Sequence, residues 1–491
     1  MVICPAFGHE YVHSHRSVRH LADALARSGI TVLRFDYDGT GDSAGDDRDP
    51  DRVPAWRESI RVAMQTLREA TGFRIGLIGV RFGGTLAATV AAETEVACLV
   101  LWGAYTRGRQ YLRELKALQF IGGGDGQTFE PGGFLIAEPT QHDIADLDVT
   151  AAAPRTAHVL KVPADPEMFA PPHAAVVPHG AIAQIVQWIG ALEAVPCDVP
   201  SIAVTRREQH LGGVGESFLQ HDGMFGIVSE PPRDRNGPMI VLTNAGATHH
   251  VGPNRLYVFL ARALSGAGFP CLRFDLPGLG DSVIEDPAQE NDAYLPAATS
   301  IIGGVIAAMP QRPVVIAGLC SGAHAAFHSA LELEDAPIVE SVLINPRTFY
   351  YHRGMSLDQP LTQYSQWQWY MRSMRRRDRW TKVLRGQVRF RDIARVAWRR
   401  IRESLTRQPD QLARDITRIM GSGRKLTFIF SRFDSGHDLL MANAGREVKR
   451  LRNQGLTLWR IDDANHTFEV GRSREAMIDL LVKHLSARYL R

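Results

Sequence analysis

The chain has 491 residues, 45% hydrophobic and 22% charged, with a formal net charge of +3. That length exceeds one ordinary domain, the composition is that of globular proteins, and the charge is too small to call for nucleic acid. Five cysteines, Cys4, Cys98, Cys197, Cys271 and Cys320, include no CxxC pair, which argues for reduced thiols and against a zinc or disulfide framework.

In chain order, "MVICPAFGH" opens directly on an apolar strand, with no basic-then-apolar leader. No run of about 18 apolar residues follows anywhere, so no spanning helix is expected. A cytoplasmic protein without cofactor or metal is the expectation. The first half then alternates helix, strand, glycine turn, helix and strand, with "FRIGLI" running into "GVRFGG" at residues 79–84. It begins at what would be a third strand and lacks a clear final one: "HVLKVPADPEMFAPPHAAVVPHG" leads straight into the helix "AIAQIVQWIGALEA". A boundary falls near residues 200–215. Next, "ESFLQHDGMFGIVSEPP" predicts an antiparallel hairpin turning at Asp222-Gly223. Beyond it come the strand "MIVLTN", the helix "RLYVFLARALSGAG", the strand "PCLRFDL", the helix "ATSIIGGVIAAM" and the strand "PVVIAG". The strand leads into "GLCSGA" at residues 318–323 and the helix "AHAAFHSALEL", and three later strands are "SVLINP", "KLTFIFS" and "LTLWRID". Alternating strands and helices predict a mostly parallel sheet with helices on both faces.

The halves repeat one another. "LADALARSGITVLRFDYDGTGDS" begins at Leu21 and "LARALSGAGFPCLRFDLPGLGDS" at Leu260, a shift of 239 that also carries Asp36 to Asp275, Arg81 to Cys320 and Gly83 to Gly322. A register constant from Leu21 to Gly83 reads as a duplication whose unit is a domain.

Strand, G-x-Nuc-x-G, helix resembles the nucleophile elbow of the α/β-hydrolase superfamily, where glycines permit a strained turn. Gly318-Leu319-Cys320-Ser321-Gly322 makes the second copy similar to a cysteine-nucleophile member, the helix N-terminus favouring thiolate. Ser321, one place off the centre of the frame, is the competing nucleophile, and a buried structural cysteine is the plainer alternative. The resemblance implies an acid and then a histidine on later loops. Asp434 follows "KLTFIFS" and His466 follows "LTLWRID"; Asp438, Asp462 and Asp463 are the alternative acids, and His437 and His324 are the less suitable histidines. His466 would take the thiol proton and Asp434 would hold the imidazole tautomer. The oxyanion hole would use the amides of Ser321 and Ala247, though the usual His-Gly pair is missing from Asn244-Ala245-Gly246-Ala247-Thr248. His249, with His250 beside it, either faces the substrate or lies exposed.

"GPNRLYVFLARAL", "LRFDLPGLGDS" and "GLCSGA" also resemble the cysteine-containing hydrolases associated with exosortase A loci, and the serine aminopeptidase-like and thioesterase branch more broadly. The fold class implied is α/β, with two tandem α/β-hydrolase domains. Residues 1–205 form a degenerate one and residues 206–491 a catalytic one with a helical lid at about 346–420. Arg81 stands at the nucleophile position of the first copy and cannot serve as one. At a helix N-terminus it calls for a ligand's carboxylate or phosphate, or for a neighbouring Asp or Glu.

The lid opens aromatic, and Trp367, Trp369 and Tyr370 would line an apolar cleft. From Arg372 to Arg418 it holds 16 Lys plus Arg against 5 Asp plus Glu. That is either a solvated basic face or a dock for an acidic acyl carrier protein, a phosphate or an anionic surface. The expected function is acyl transfer through a thioester on Cys320, from an acyl thioester or ester substrate, as an acyltransferase or thioesterase. An esterase or lactone hydrolase is one alternative and a non-catalytic binding protein another. A homodimer is compatible with this reading.

Overall fold

The computed structural model describes residues 1–122, 128–192, 208–355, 410–432 and 434–490. The chain forms two compact units: Met1–Leu295 together with Asp462–Arg491, and Pro296–Ile461.

The first unit opens on a five-stranded, all-parallel sheet of order β2-β1-β3-β4-β5. Its strands are β1 (Val2–Cys4), β2 (Leu33–Arg34), β3 (Leu77–Val80), β4 (Leu99–Trp102) and β5 (Val159–Val162). Successive side chains of a strand point to opposite faces, and the apolar runs therefore feed two cores. Val2, Cys4 and Leu77 pack with α2 (Arg52–Thr71), α3 (Phe82–Glu93) and α4 (Gly108–Gly122) through Ile60, Leu86 and Leu115. Ile3, Ile78 and Val80 pack on the other side with α1 (His9–Arg27) and α6 (His179–Gly190) through Leu21, Leu25 and Ile185. Helix α5 (Glu138–Ala145) lies against α4. This is the doubly wound arrangement expected, and no strand follows β5 before residue 192 among the described residues.

The same unit holds five further strands of order β9-β10-β8-β7-β6. They are β6 (Glu208–Leu211), β7 (Val214–His221), β8 (Met224–Glu230), β9 (Met239–Thr243) and β10 (Cys271–Phe274). β7 and β8 form the predicted hairpin, with His221 opposite Met224 and positive φ at Asp222 and Gly223. β6 lies outside the predicted hairpin. It turns back onto β7 through Gly212-Gly213, both at positive φ, and its pattern of intermediate and exposed residues carries no apolar signal. Helix α7 (Leu256–Ala267) ends at Gly268 in the left-handed region and lies against α12 (Gly471–Tyr489).

The second unit is a parallel sheet of order β14-β13-β12-β11. Its strands are β11 (Val314–Leu319), β12 (Ile338–Ile344), β13 (Lys425–Ser431) and β14 (Thr457–Ile461). Its helices are α8 (Ala298–Ala308), α9 (Ser321–Glu332), α10 (Gln411–Gly421) and α11 (Ser435–Leu451). Both faces of β12 and β13 are buried, which is why those stretches read as continuous apolar runs rather than alternating ones. Most of the expected lid, residues 356–409, lies outside the described residues. Of its flanks, the Tyr350 hydroxyl donates to Asp415 at 2.6 Å.

Candidate active site

Two elbows of one geometry stand at the ends of β3 and β11. Arg81 has φ 53°, ψ −123° and caps α3; Cys320 has φ 60°, ψ −113° and caps α9. A positive φ on a side-chain-bearing residue is strained and is held only where the surroundings over-determine it. Strand pairing does so here. The Arg81 amide donates to Trp102 O at 2.9 Å and the Cys320 amide to Ile344 O at 3.0 Å, tying each elbow to the neighbouring strand. At the first elbow a Cβ on Gly83 would fall 2.0 Å from Pro5 O, which is why the second residue of α3 must be glycine.

Cys320 is half-buried, and Ser321, the first residue of α9, is buried behind it. Cys4, Cys98 and Cys271 are free thiols buried in the strand region, and burial pushes Cys98 up to about 11 and Cys271 up to about 12. They are too apolar in setting to serve as thiolates. Asp434 follows β13 and caps α11, its carboxylate accepting from the Gly436 amide at 2.9 Å. His466 lies in the loop between β14 and α12, and that loop is held by the Glu469 amide on the Asn465 side chain and by Asn254 on Thr467 O. Ala247 sits in a turn whose ends are fixed by Asn244. The Asn244 amide group donates to Thr248 O at 3.0 Å and to Asp275 at 2.8 Å, and its oxygen accepts from the Leu276 amide at 2.8 Å. Among the alternatives, His437 has Asp438 beside it at 3.4 Å. His324 lies against His328 with ring centroids 4.4 Å apart and the planes tilted by 40°, and burial pushes its pKa down to about 3. Trp367, Trp369 and Tyr370 lie outside the described residues.

At the first elbow, Arg81 meets neighbouring acids. Its Nε donates to Glu10 at 2.7 Å and its Nη2 to Glu114 at 2.6 Å, and the guanidinium lies 4.4 Å over the Tyr105 ring, whose hydroxyl it also meets. Burial holds the Glu10 carboxyl above the usual range even with Arg81 beside it. The cation at this helix N-terminus is therefore answered from within the fold.

His249 is not exposed. Its ring stacks on His15 at 4.1 Å between centroids and meets Tyr11 edge-on, and burial together with His15 pushes its pKa well below the usual imidazole value. His250, also buried, is held between Asp275 at 2.7 Å and Asp42 at 2.7 Å. Burial alone would lower its pKa, and the two carboxylates raise it well above the ordinary value instead.

These contacts belong to an arrangement that repeats at the 239-residue shift. Asp36 accepts the Asp42 amide and Asp275 the Asp281 amide, at 2.9 and 3.0 Å; Ser43 and Ser282 each donate to the carbonyl of that aspartate at 2.7 Å. Each Asp-Ser turn then meets an arginine of the other half: Arg34 reaches Asp281 and Arg273 reaches Asp42, both at 2.5 Å. Arg255 adds donations to Gly41 O at 2.8 Å and Gly39 O at 2.7 Å. Sequence reading singled out none of these partners, although the shift pairs Arg34 with Arg273 and Asp42 with Asp281.

Residues 240–480 match the alpha/beta hydrolase family, and residues 6–128 match the serine aminopeptidase S33 family. Among solved structures the chain is similar to a dienelactone hydrolase from Anabaena variabilis (14% identity, 58% of this chain and 100% of that chain, TM-score 0.35). It is also similar to the thioesterase domain from the curacin biosynthetic pathway (15%, 55% and 99%, TM-score 0.33) and to an alpha-beta serine hydrolase homologue from Coxiella burnetii (14%, 55% and 96%, TM-score 0.32). No curated protein matches. No described helix is long and apolar enough to cross a membrane. The two family matches together put an α/β-hydrolase region in each half of the chain.

Proposed function

We propose that this α/β-hydrolase chain is a tandem duplication whose second copy performs acyl transfer through a thioester on Cys320. Domain one (1–205) would be the copy that lost catalysis, and domain two (206–491) the one that kept it. The observation that carries the reading is the backbone at Cys320: a non-glycine residue at φ 60° between a buried parallel strand and a helix N-terminus. Such strain has its use where a nucleophile must stand clear of the sheet.

In this mechanism the N-terminus of α9, twelve residues long, favours the Cys320 thiolate. Sulfur attacks the acyl carbonyl, the oxyanion takes the amides of Ser321 and Ala247, and His466 delivers the thiol proton to the departing thiol or alcohol. His466 then takes a proton from the incoming amine, alcohol, thiol or water as that group attacks the thioester, and Cys320 is released. Asp434 would orient His466, with one carboxylate oxygen engaged by the Gly436 amide. A thioester reacts readily with amines and thiols, and this favours transfer over hydrolysis. The charge of the 372–418 segment supports docking of an acidic acyl carrier protein.

Mass spectrometry of the intact chain after incubation with acyl-CoA or acyl-carrier thioesters tests the nucleophile. Wild type should gain one acyl mass and Cys320→Ala none. Acylation that persists in Cys320→Ala would overturn the assignment. Wild type that only hydrolyses, whatever acceptor is offered, would make the enzyme an esterase or thioesterase.

A further inference from the structure

A cleft of about 1210 Å³ opens in the first unit, walled on one side by β1 and β2 and on the other by β6–β8. Its walls are partly apolar, through Ile3, Val18, Phe35, Phe225 and Ile227, and partly polar, with neutral groups such as Ser14 and Gln209 beside charged ones that include Glu208. The charged groups balance unevenly. Of the wall residues, Arg34 is taken by Asp281 and His250 by Asp42 and Asp275, while Asp42 and Glu216 hold Arg273 and Arg262, which do not line the cleft. Asp36 lines the same cleft, and its donors are neutral: the Tyr11 hydroxyl at 2.6 Å and the Asp42 amide at 2.9 Å. Among the described residues no cation pairs with it.

The shift of 239 shows how this imbalance arises. The counterpart of Asp36 is Asp275, and the counterpart of Tyr11 is His250. In the second copy an imidazole pairs directly with the aspartate; in the first a phenol occupies that place, and His15, Arg34 and Arg255 act on the aspartate only from beyond ion-pair distance. Burial and the neighbouring Asp42 accordingly push the Asp36 carboxyl up. A second observation concerns His249, which lines the cleft with 2% of its surface exposed and with neither ring nitrogen bonded. An unsatisfied buried ring of this kind costs free energy unless something meets it. A buried carboxylate without a cation and a buried imidazole without a partner, facing one cleft with apolar walls, call for the same kind of occupant.

We propose that this cleft binds a small organic cation, an ammonium carried on an apolar body. Asp36 is the counter-ion, His249 is the second polar contact, and the apolar walls receive the hydrocarbon. Anions are disfavoured, because every cation at the cleft already holds a carboxylate and Asp36 would repel a further one.

Isothermal titration calorimetry of the full chain with 2-phenylethylamine and hexylamine, against 2-phenylethanol and phenylacetate, tests this. Saturable binding of at least one amine is expected, about tenfold or more tighter than either control. Asp36→Asn, which removes the charge and keeps one of the two oxygens that accept from Tyr11 and the Asp42 amide, should weaken amine binding about tenfold or more. Ala44→Trp, placed on an exposed residue at the cleft wall, should block binding without touching the buried pairs, and so serves if Asp36→Asn does not fold. The proposal is overturned if neither amine binds, if the alcohol or the acid binds as well as the amines, or if amine binding survives Ala44→Trp.

Discussion

Replacing Arg81 by methionine removes the cation from the first elbow and leaves Glu10 behind. The Glu10 side chain is 7% exposed and that of Arg81 14%, so solvent cannot take over the lost partner. Breaking a buried ion pair from one side costs about 3–5 kcal/mol when the remaining charge stays ionised. Glu10 has an escape, because burial already holds its carboxyl above the usual range and loss of Arg81 pushes it further. A carboxyl whose folded pKa is raised binds its proton more tightly folded than unfolded. Stability therefore falls as pH rises from the unfolded value towards the folded one, by about 1.4 kcal/mol for each unit. Near pH 5 the neutral Glu10 of Arg81→Met forfeits little beyond its hydrogen bond, about 1 kcal/mol. Near pH 8 the loss should approach about 3 kcal/mol. Urea unfolding at the two pH values, followed at the earliest transition because a two-unit chain need not unfold in one step, measures the difference. Adding Glu10→Gln to Arg81→Met should remove the pH dependence and recover most of the loss. Equal destabilisation at both pH values, or no recovery in the double variant, refutes the buried-pair account. Acylation at Cys320 should stay within a few-fold of wild type; a fall of about 100-fold with folding intact, about 2.7 kcal/mol of barrier, would mean that Arg81 serves the reaction.

His250, raised by Asp275 and Asp42, contributes stability that is complete below the unfolded imidazole value and lost as pH rises through its higher folded one; its ring resonances should stay those of imidazolium through neutral pH, and titration near pH 6.5 would refute this. Asp42→Asn removes one of the two carboxylates held by each of His250 and Arg273, and should lower stability by about 3 kcal/mol in denaturant unfolding, whereas Asp38→Asn, on a half-exposed pair with Arg52, should lower it by less than about 1 kcal/mol. Gly41→Ala and Gly280→Ala each put a Cβ 2.0 Å from an aspartate carboxylate at φ 50°; both should fail to express in soluble form or lose several degrees of thermal midpoint, and a neutral result at either would contradict the turn geometry. Cys320→Ser should acylate more slowly and shift product from transfer to hydrolysis, read as the product ratio at fixed acceptor; an unchanged ratio would remove sulfur's part in partitioning. If the basic segment docks an acidic carrier, kcat/KM for carrier substrates should fall steeply with salt as the Debye length drops below about 10 Å, while small neutral esters show no such trend; equal salt effects would leave those arginines as solvated surface.

The 239-residue shift, both elbows, the β7–β8 hairpin and the parallel strands could be read from the amino-acid order, because each depends on local patterning. Glycine placement allows the left-handed turns at Gly39, Gly41, Gly278 and Gly280, and apolar runs mark buried strands. The nearest-neighbour chemistry was not legible in that way. Arg81 needed an anion on any reading, but only folding brings Glu10, seventy-one residues earlier, to 2.7 Å. β6 escaped notice because an edge strand needs apolar residues on neither face. The reciprocal pairs of Arg34 with Asp281 and Arg273 with Asp42 join residues 247 and 231 apart, and no periodicity encodes a contact of that separation. The pairing of charges across such distances depends on which side chains the packed sheets leave facing one another, and so tertiary structure alone decided that Asp275 has an ion-pair partner in His250 while Asp36 is bonded by a phenol and an amide.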